Sequence, residues 1–257
     1  LDKRIFPWNH ANCGDLNLSG ERRPQSYLRE TLWSDAPVSH IVVTPPVPSF
    51  PLNPNKADWS VWDFPDVVDH WNFPGYEGKK MTVSVYSNCE QVELFLNGES
   101  LGKQENTADK KNTLVWEVPY AHGILKAVSY NKGGEVGTAT LESAGKVEKI
   151  RLSADRTEIV ADGNDLSYIT LELVDSKGIR NQLAEELVEF SIAGDATIEG
   201  VGNANPMSIE SFVANSRKTW RGSNLLVVRS GKSSGRIIVT AKVKALPVAS
   251  ITITQKK

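Results

Sequence analysis

Apolar and polar residues alternate along most of the chain. In MTVSVYS, Met81, Val83 and Val85 stand against Thr82, Ser84 and Tyr86, and in VELFLNGES, Val92, Leu94 and Leu96 share one side before the run meets Asn97-Gly98. A period of two marks a half-buried strand, and Asn-Gly between two such runs is a strong hairpin signal because both residues accept positive φ. TLVWEVPY sets Leu114, Trp116 and Val118 on one face, and GILKAVSY and VGTATLES follow, joined by Asn131-Lys132-Gly133-Gly134. Past Gly145 the style repeats in KIRLSA, LSYITLELVD, LVEFSIAG, LLVVRSG and GRIIVTAKVKAL, with Ile169, Leu171 and Leu173 as a core face and Asp175-Ser176-Lys177-Gly178 as a turn. Many short strands separated by turns predict an all-β chain built of two immunoglobulin-like β-sandwich domains in tandem, residues 59–145 and 146–257.

Two stretches break this pattern. Residues 20–35 carry a helical signal: Pro24 suits a first turn, where its missing N–H costs nothing, and Tyr27, Leu28, Thr31 and Leu32 recur at three- and four-residue spacing. Pro37 closes the segment. A helix this short is marginal alone in water, and no second helix follows to pack with it. Residues 37–58 then read as a proline-rich linker, because Pro45, Pro46, Pro48, Pro51 and Pro54 each lack a ladder donor and fix φ.

Charge narrows the partners. Lys and Arg number 29 against 31 Asp and Glu, a net charge of −2, so nucleic acid is not an expected partner. No apolar run is long enough to cross a bilayer, so no membrane partner is expected either. The first residue is Leu1 rather than Met, and a processed protein or a piece of a longer one is expected. Cys13 and Cys89 do not amount to a disulfide framework and read as two buried thiols. Asn17-Leu18-Ser19 fits the short glycosylation pattern, which occurs often by chance.

Candidate chemistry is sparse. GESLG around Ser100 fits the G-x-S-x-G nucleophile pattern, but that pattern needs a strand-to-helix elbow, and here Gly98 belongs to a hairpin between strands. His10, His40, His70 and His122 show no metal-ligand spacing, and ADGND at 161–165 lacks the full calcium loop, so no metal and no cofactor are expected. NSRKTWRG groups Arg217, Lys218 and Arg221 around Trp220 and reads as a solvated strand edge with one packed tryptophan. The densest aromatic stretch runs through Trp59, Trp62, Phe64, Trp71, Phe73 and Tyr76. Its rings, Trp59, Trp62, Trp71 and Tyr76 above all, suit either stacking on sugar faces beside Asp and Asn side chains or packing between domains. Glycoside hydrolysis needs two carboxyl groups flanking the scissile bond, and no strand–helix alternation is present to display them as a barrel would. The residues alone therefore describe a non-catalytic pair of β-domains with no catalytic residue.

The opening stretch WNHANCGDLNLSGERRPQSYLRETLW resembles the closing part of the catalytic (β/α)8 barrel in glycoside hydrolase family 2, the β-galactosidase family. Asp15, Leu16, Gly20, Arg22, Arg23, Tyr27 and Trp33 fill the places of that motif. HWNFPGYEGKKMTVSVYSNCEQVELFLNGESLGK resembles the accessory β-domain that follows the barrel in bacterial members. ADGNDLSYITLELVDSKG and GNANPMSIESFVANSRKTWRGSNLLVVRSG resemble their immunoglobulin-like last domain, which is also similar to adhesin modules. The resemblance implies that residues 1–36 are a short helical remnant of the barrel, that the catalytic glutamates lie upstream of Leu1, and that the parent is a retaining β-galactosidase-like enzyme. It also implies a periplasmic or secreted location. The catalytic barrel of the same parent chain is the expected partner and the accessory domains are expected to support it. Capture of an oligosaccharide or polysaccharide, or service as an adhesin-type spacer, are the alternatives. The helix is expected to pack on the first sandwich through Leu28, Leu32 and Trp33 or to be loosely held.

Overall fold

The structure, a computed structural model, describes residues 6–8, 14–50 and 65–257. Chain contacts divide it into two units, one made chiefly of Glu21–Ser143 and the other of Ala144–Lys257.

In the first unit, a single turn of 3-10 helix at Pro24–Ser26 leads into α1, Tyr27–Trp33. Seven strands follow: β1 (Ser39–Val43), β2 (Lys80–Ser87), β3 (Gln91–Leu96), β4 (Glu99–Glu105), β5 (Thr113–Pro119), β6 (Ile124–Asn131) and β7 (Gly134–Glu142). They form an antiparallel sheet of order β1-β2-β5 and another of order β4-β3-β6-β7. The inward residues of alternating runs meet in one core: Met81, Val83 and Val85 of β2, Leu114, Trp116 and Val118 of β5, Val92 and Leu94 of β3, Leu125 and Ala127 of β6. Asn97 and Gly98 take φ of 51° and 86° between β3 and β4, the geometry that matches strand twist in a two-residue hairpin. Lys132 and Gly133 do the same between β6 and β7.

The linker expectation for 37–58 needs correction. Residues 39–43 form β1, paired in register with β2 from Ser39↔Ser87 to Val43↔Val83. The run SHIVV carries no proline and its β-branched residues suit a pleated surface, so the prolines downstream do not govern it. Residues 51–58 lie outside the described residues.

The second unit holds β8 (Lys149–Ala154), β9 (Glu158–Val160), β10 (Leu166–Val174), β11 (Leu187–Ala193), β12 (Ala196–Gly202), β13 (Ser216–Lys218), β14 (Ser223–Ser230), β15 (Gly235–Val243) and β16 (Ala249–Lys256). One sheet runs β12-β14-β10-β8 and the other β13-β11-β15-β16-β9, in which β9 pairs parallel to β16. Ile169, Leu171 and Leu173 share a mainly aliphatic core with Leu226 and Val228 of the same sheet and Phe190, Ile237, Val239 and Ile253 of the other. Gly222 (φ +70°) is required where it stands, since a Cβ there would lie 2.3 Å from the Asn181 carbonyl oxygen. Each unit has the two-sheet β-sandwich architecture expected from the strand pattern.

Candidate functional site

The place where the first unit does something other than pack strands is the seam under α1. The helix is short because little holds it locally: Ser26 makes no side-chain cap, and the backbone turns extended at Ser34. What fixes it is the sheet. On β1, Ile41 and Val43 point into the sandwich core, whereas Val42 points the other way, into a cluster with Val67, Tyr86, Tyr27 and Leu28. The strand is thus apolar on both faces because both are covered.

Thr31, nearly fully buried, donates its hydroxyl to the Leu28 carbonyl (2.7 Å) and accepts Nδ2–H of Asn112 (3.1 Å). Asn112 holds a left-handed φ of 60°, a conformation asparagine tolerates. Asn106 extends the chain of amides, donating Nδ2–H to the Ser87 and Cys89 carbonyls and, at 3.3 Å, to Asn112 Oδ1. At the helix exit, Asn88 donates to the carbonyls of Ser34 (3.0 Å) and Ala36 (2.9 Å) and accepts the Val38 N–H (2.8 Å). One side chain therefore satisfies three backbone groups of the segment leading from the helix end into β1.

The other flank is charged. The Tyr27 ring stacks on His40 at 4.2 Å and 10°, with the Arg22 guanidinium 4.6 Å from the Tyr27 ring. Glu30 accepts from Arg22 (2.7 Å) and pairs with Nε2 of His40 (2.9 Å), and Arg29 pairs with Asp15. The hydrogen bond from Arg22 holds the Glu30 carboxyl below the usual carboxylate range, against the pull of burial. Burial lowers the His40 pKa despite the Glu30 carboxylate beside it. Burial, with the Asp69 carboxylate next in weight, pushes the Tyr27 phenol up to about 12. These groups dock the helical segment on the sheet.

The expectation that Leu28, Leu32 and Trp33 carry the docking holds only for Leu28. Leu32 is 61% exposed and Trp33 80% exposed, and the inward side is Tyr27, Leu28 and Thr31. Helical spacing allows either side, and the amides and the His40 ring select the one that can make hydrogen bonds and stack. Sequence reasoning missed Asn88, Asn106 and Asn112. Their signal was their place at strand ends and in turns, where asparagine serves backbone groups.

Of the aromatic candidates, the described ones, Trp71 and Tyr76, belong to the core of the first unit. Trp71 is 0% exposed, which corrects its assignment to sugar stacking: its indole N–H donates to the Ala121 carbonyl (2.8 Å) and its ring meets Phe73 and Tyr120 edge-on at 5.9 and 4.9 Å. Tyr120 also accepts the Phe73 N–H at its hydroxyl (3.1 Å), and the Ser143 hydroxyl donates to the Trp71 carbonyl. A large flat ring with one donor suits such a corner, where burial and a satisfied N–H coincide. Tyr76 is half-buried against the same core, with the Lys79 ammonium 4.6 Å from its ring. Trp59 and Trp62 lie outside the described residues.

Other motifs resolve structurally. Ser100 lies in β4 and donates to Glu93 (2.6 Å), with no strand-to-helix elbow. Asp162 accepts the N–H groups of Asn164 and Asp165, and Asp165 accepts from Val160 and Arg156, so ADGND is a polar turn. Among the described residues no three His, Cys, Asp or Glu side chains converge as a metal set. Cys89 is a buried free thiol, and Cys13 and His10 lie outside the described residues. Arg217 corrects the reading of a solvated strand edge: it is 0% exposed, its cation enclosed by backbone carbonyls and the Phe212 ring.

Residues 150–252 match the model of the glycoside hydrolase family 2 C-terminal domain 5, and residues 78–137 match a domain of unknown function, DUF4982. The β-galactosidase BoGH2A of Bacteroides ovatus is 30% identical over 98% of this chain, which covers 26% of that protein. A solved glycosyl hydrolase family 2 member from Bacteroides cellulosilyticus superposes with a TM-score of 0.98 at 99% identity, over 100% of this chain and 33% of its own. A β-glycosidase from Bacteroides vulgatus superposes with a TM-score of 0.80 at 25% identity, over 95% of this chain and 28% of its own. The chain thus spans between a quarter and a third of the length of these relatives.

Proposed function

Because the chain is a C-terminal region of a glycoside hydrolase family 2 enzyme, we propose that it is the non-catalytic part of a retaining β-glycosidase and braces the catalytic barrel of its parent. The observation that carries this reading is the docked helix. Its inner side is held on the first unit by the Asn112 and Asn88 amides and the His40 ring, while Leu32 and Trp33 point outward and are largely exposed. A helix fastened on one side and apolar on the other is a coupling between two bodies. The outward side fits the missing barrel.

The parent reaction, on this reading, is the double displacement of a β-galactoside, with the acid and nucleophile about 5 Å apart on the absent portion. Relatives named β-glucuronidase cover much of the chain too, so the uronide is the competing substrate. Glycan capture by the aromatic stretch fits less well, because Trp71 serves the core. The test uses aryl β-galactoside and aryl β-glucuronide with the full-length enzyme and with this chain alone. The full-length enzyme is expected to turn over the galactoside and the chain neither. Turnover by the chain would overturn the non-catalytic assignment, and a full-length enzyme inert on both would overturn the parent reaction.

A further inference from the structure

The second unit contains a loop whose construction exceeds what closing β12 onto β13 requires. From Asn203 to Asn215 it is tied down from beneath by Arg217, which is fully buried. Arg217 Nη1 donates to the carbonyls of Val201 (3.2 Å) and Glu210 (3.1 Å), and Nη2 to the Ser208 hydroxyl (3.0 Å). The Phe212 ring lies 4.2 Å from its guanidinium carbon. The Glu210 carboxylate accepts the Lys218 N–H (3.0 Å) and the Ser208 hydroxyl (3.0 Å), and Asn203 donates to the Lys218 carbonyl (2.9 Å). A buried guanidinium that serves carbonyls and a hydroxyl fixes the path of the loop, since each released carbonyl would be left unpaired.

So held, the loop presents Ile209 at 77%, Val213 at 81% and Phe212 at 49% exposure within five residues. It cannot fold back to bury them without surrendering the arginine. We propose that this apolar tip docks on the catalytic portion of the full-length polypeptide that precedes this region.

Three observations choose that occupant. First, the side chains of Ser208 and Glu210, which flank Ile209, are engaged with Arg217, Lys218 and each other, so the tip offers apolar area without the convergent hydrogen-bonding groups a sugar needs. Second, three side chains bury roughly 500 Å² at most on this side, short of the ~800 Å² that each partner contributes to a standard interface between separate molecules. Tethering within one chain removes most of the association cost, so a small contact suffices there. Third, the chain covers 33% of a relative that matches it over its whole length, so about two thirds of such a polypeptide lies outside it, and the matched domain is a C-terminal one. The inference rests on the proposed accessory role and adds the surface through which the second unit takes part.

The test compares the full-length enzyme with this chain at two protein concentrations. Amide exchange across 207–214 is read in the native sequence, and maleimide labelling is read at Val213→Cys by site-resolved mass spectrometry. Exchange and labelling at least tenfold slower in the full-length enzyme, independent of concentration, are expected. Equal exchange in both proteins overturns the docking, and so does protection that grows with concentration, which would mean a second copy. If labelling alone is equal, slower exchange in the native sequence still supports it, because the substitution has then undocked the tip. Hydrolysis of the aryl glycoside by the full-length enzyme reports separately on the parent reaction, so either claim can fail without the other.

Discussion

The two units are built on the same strand grammar and differ in what they do with polar side chains. The first closes its core with an aromatic corner, Trp71, Phe73 and Tyr120, and uses half-buried amides to hold α1. The second has a mainly aliphatic core that includes Phe190, and commits a buried guanidinium, Arg217, to a loop of its own. Neutral amides suit a seam that must satisfy backbone ends in several directions. A guanidinium suits a loop whose carbonyls converge on one point. Attachment of a helix and shaping of a loop thus leave different chemical traces.

Substitutions that exchange these devices break the comparison. Trp71→Ala should have the largest effect, about 3–5 kcal/mol lost from the first unit, since it empties the corner and orphans the Ala121 carbonyl. Urea unfolding read by hydrogen exchange should show the loss in residues 65–143 and leave 150–252 unchanged. A sugar platform at Trp71 would instead show weakened glycan binding with stability intact. Next, Arg217→Met should cost roughly 3 kcal/mol in the second unit alone, because two backbone carbonyls and a hydroxyl lose their donor. Calorimetry should show the second unit's transition falling, and a shift in both units would contradict the division of labour. Asn88→Ala should cost about 1–3 kcal/mol, and should act on docking of α1 before it acts on the sheet. Limited proteolysis near Ser34, faster in the variant while the strands stay protected, checks it.

The strands and hairpins were legible because period and turn chemistry are local. Met81, Val83 and Val85 face inward as their alternation requires, and Asn97-Gly98 turns where its φ tolerance allows. What was not legible depends on neighbours distant in sequence. Nothing in YLRETLW says whether Leu32 or Thr31 faces in, because the answer lies in Asn112, 81 residues on. Aromatic density around Trp71 is the same for a platform and for a core, and only the Ala121 carbonyl decides. Arg217 sits in a run with Lys218 and Arg221 that looks solvent-facing, and its burial is set by carbonyls of the preceding loop. β1 was hidden by the prolines that follow it.

The smallest expected effect is that of pH on the seam. Burial lowers the His40 pKa below its ordinary value near 6.5, so on acidification the undocked state takes up the proton first. Docking is therefore strongest above that value and weakens as pH falls through it toward the docked pKa. Glu30, whose pKa is also lowered, removes its share at still lower pH as its pairings with Arg22 and His40 are lost. Histidine resonances followed from pH 7.5 to 5 should show His40 titrating below 6.5, and His40→Phe should flatten the upper part of the pH dependence.

Everything proposed for the first unit turns on whether α1 belongs to it in the absence of the rest of the enzyme. Amide exchange over the last turn of the helix, including the Ser34 N–H that bonds the Glu30 carbonyl at 2.9 Å, measures this in the chain alone. The seam predicts exchange slowed roughly 100-fold or more, a local opening cost of about 3 kcal/mol. Exchange as fast as in an unfolded peptide would mean that the helix is not held by the sandwich.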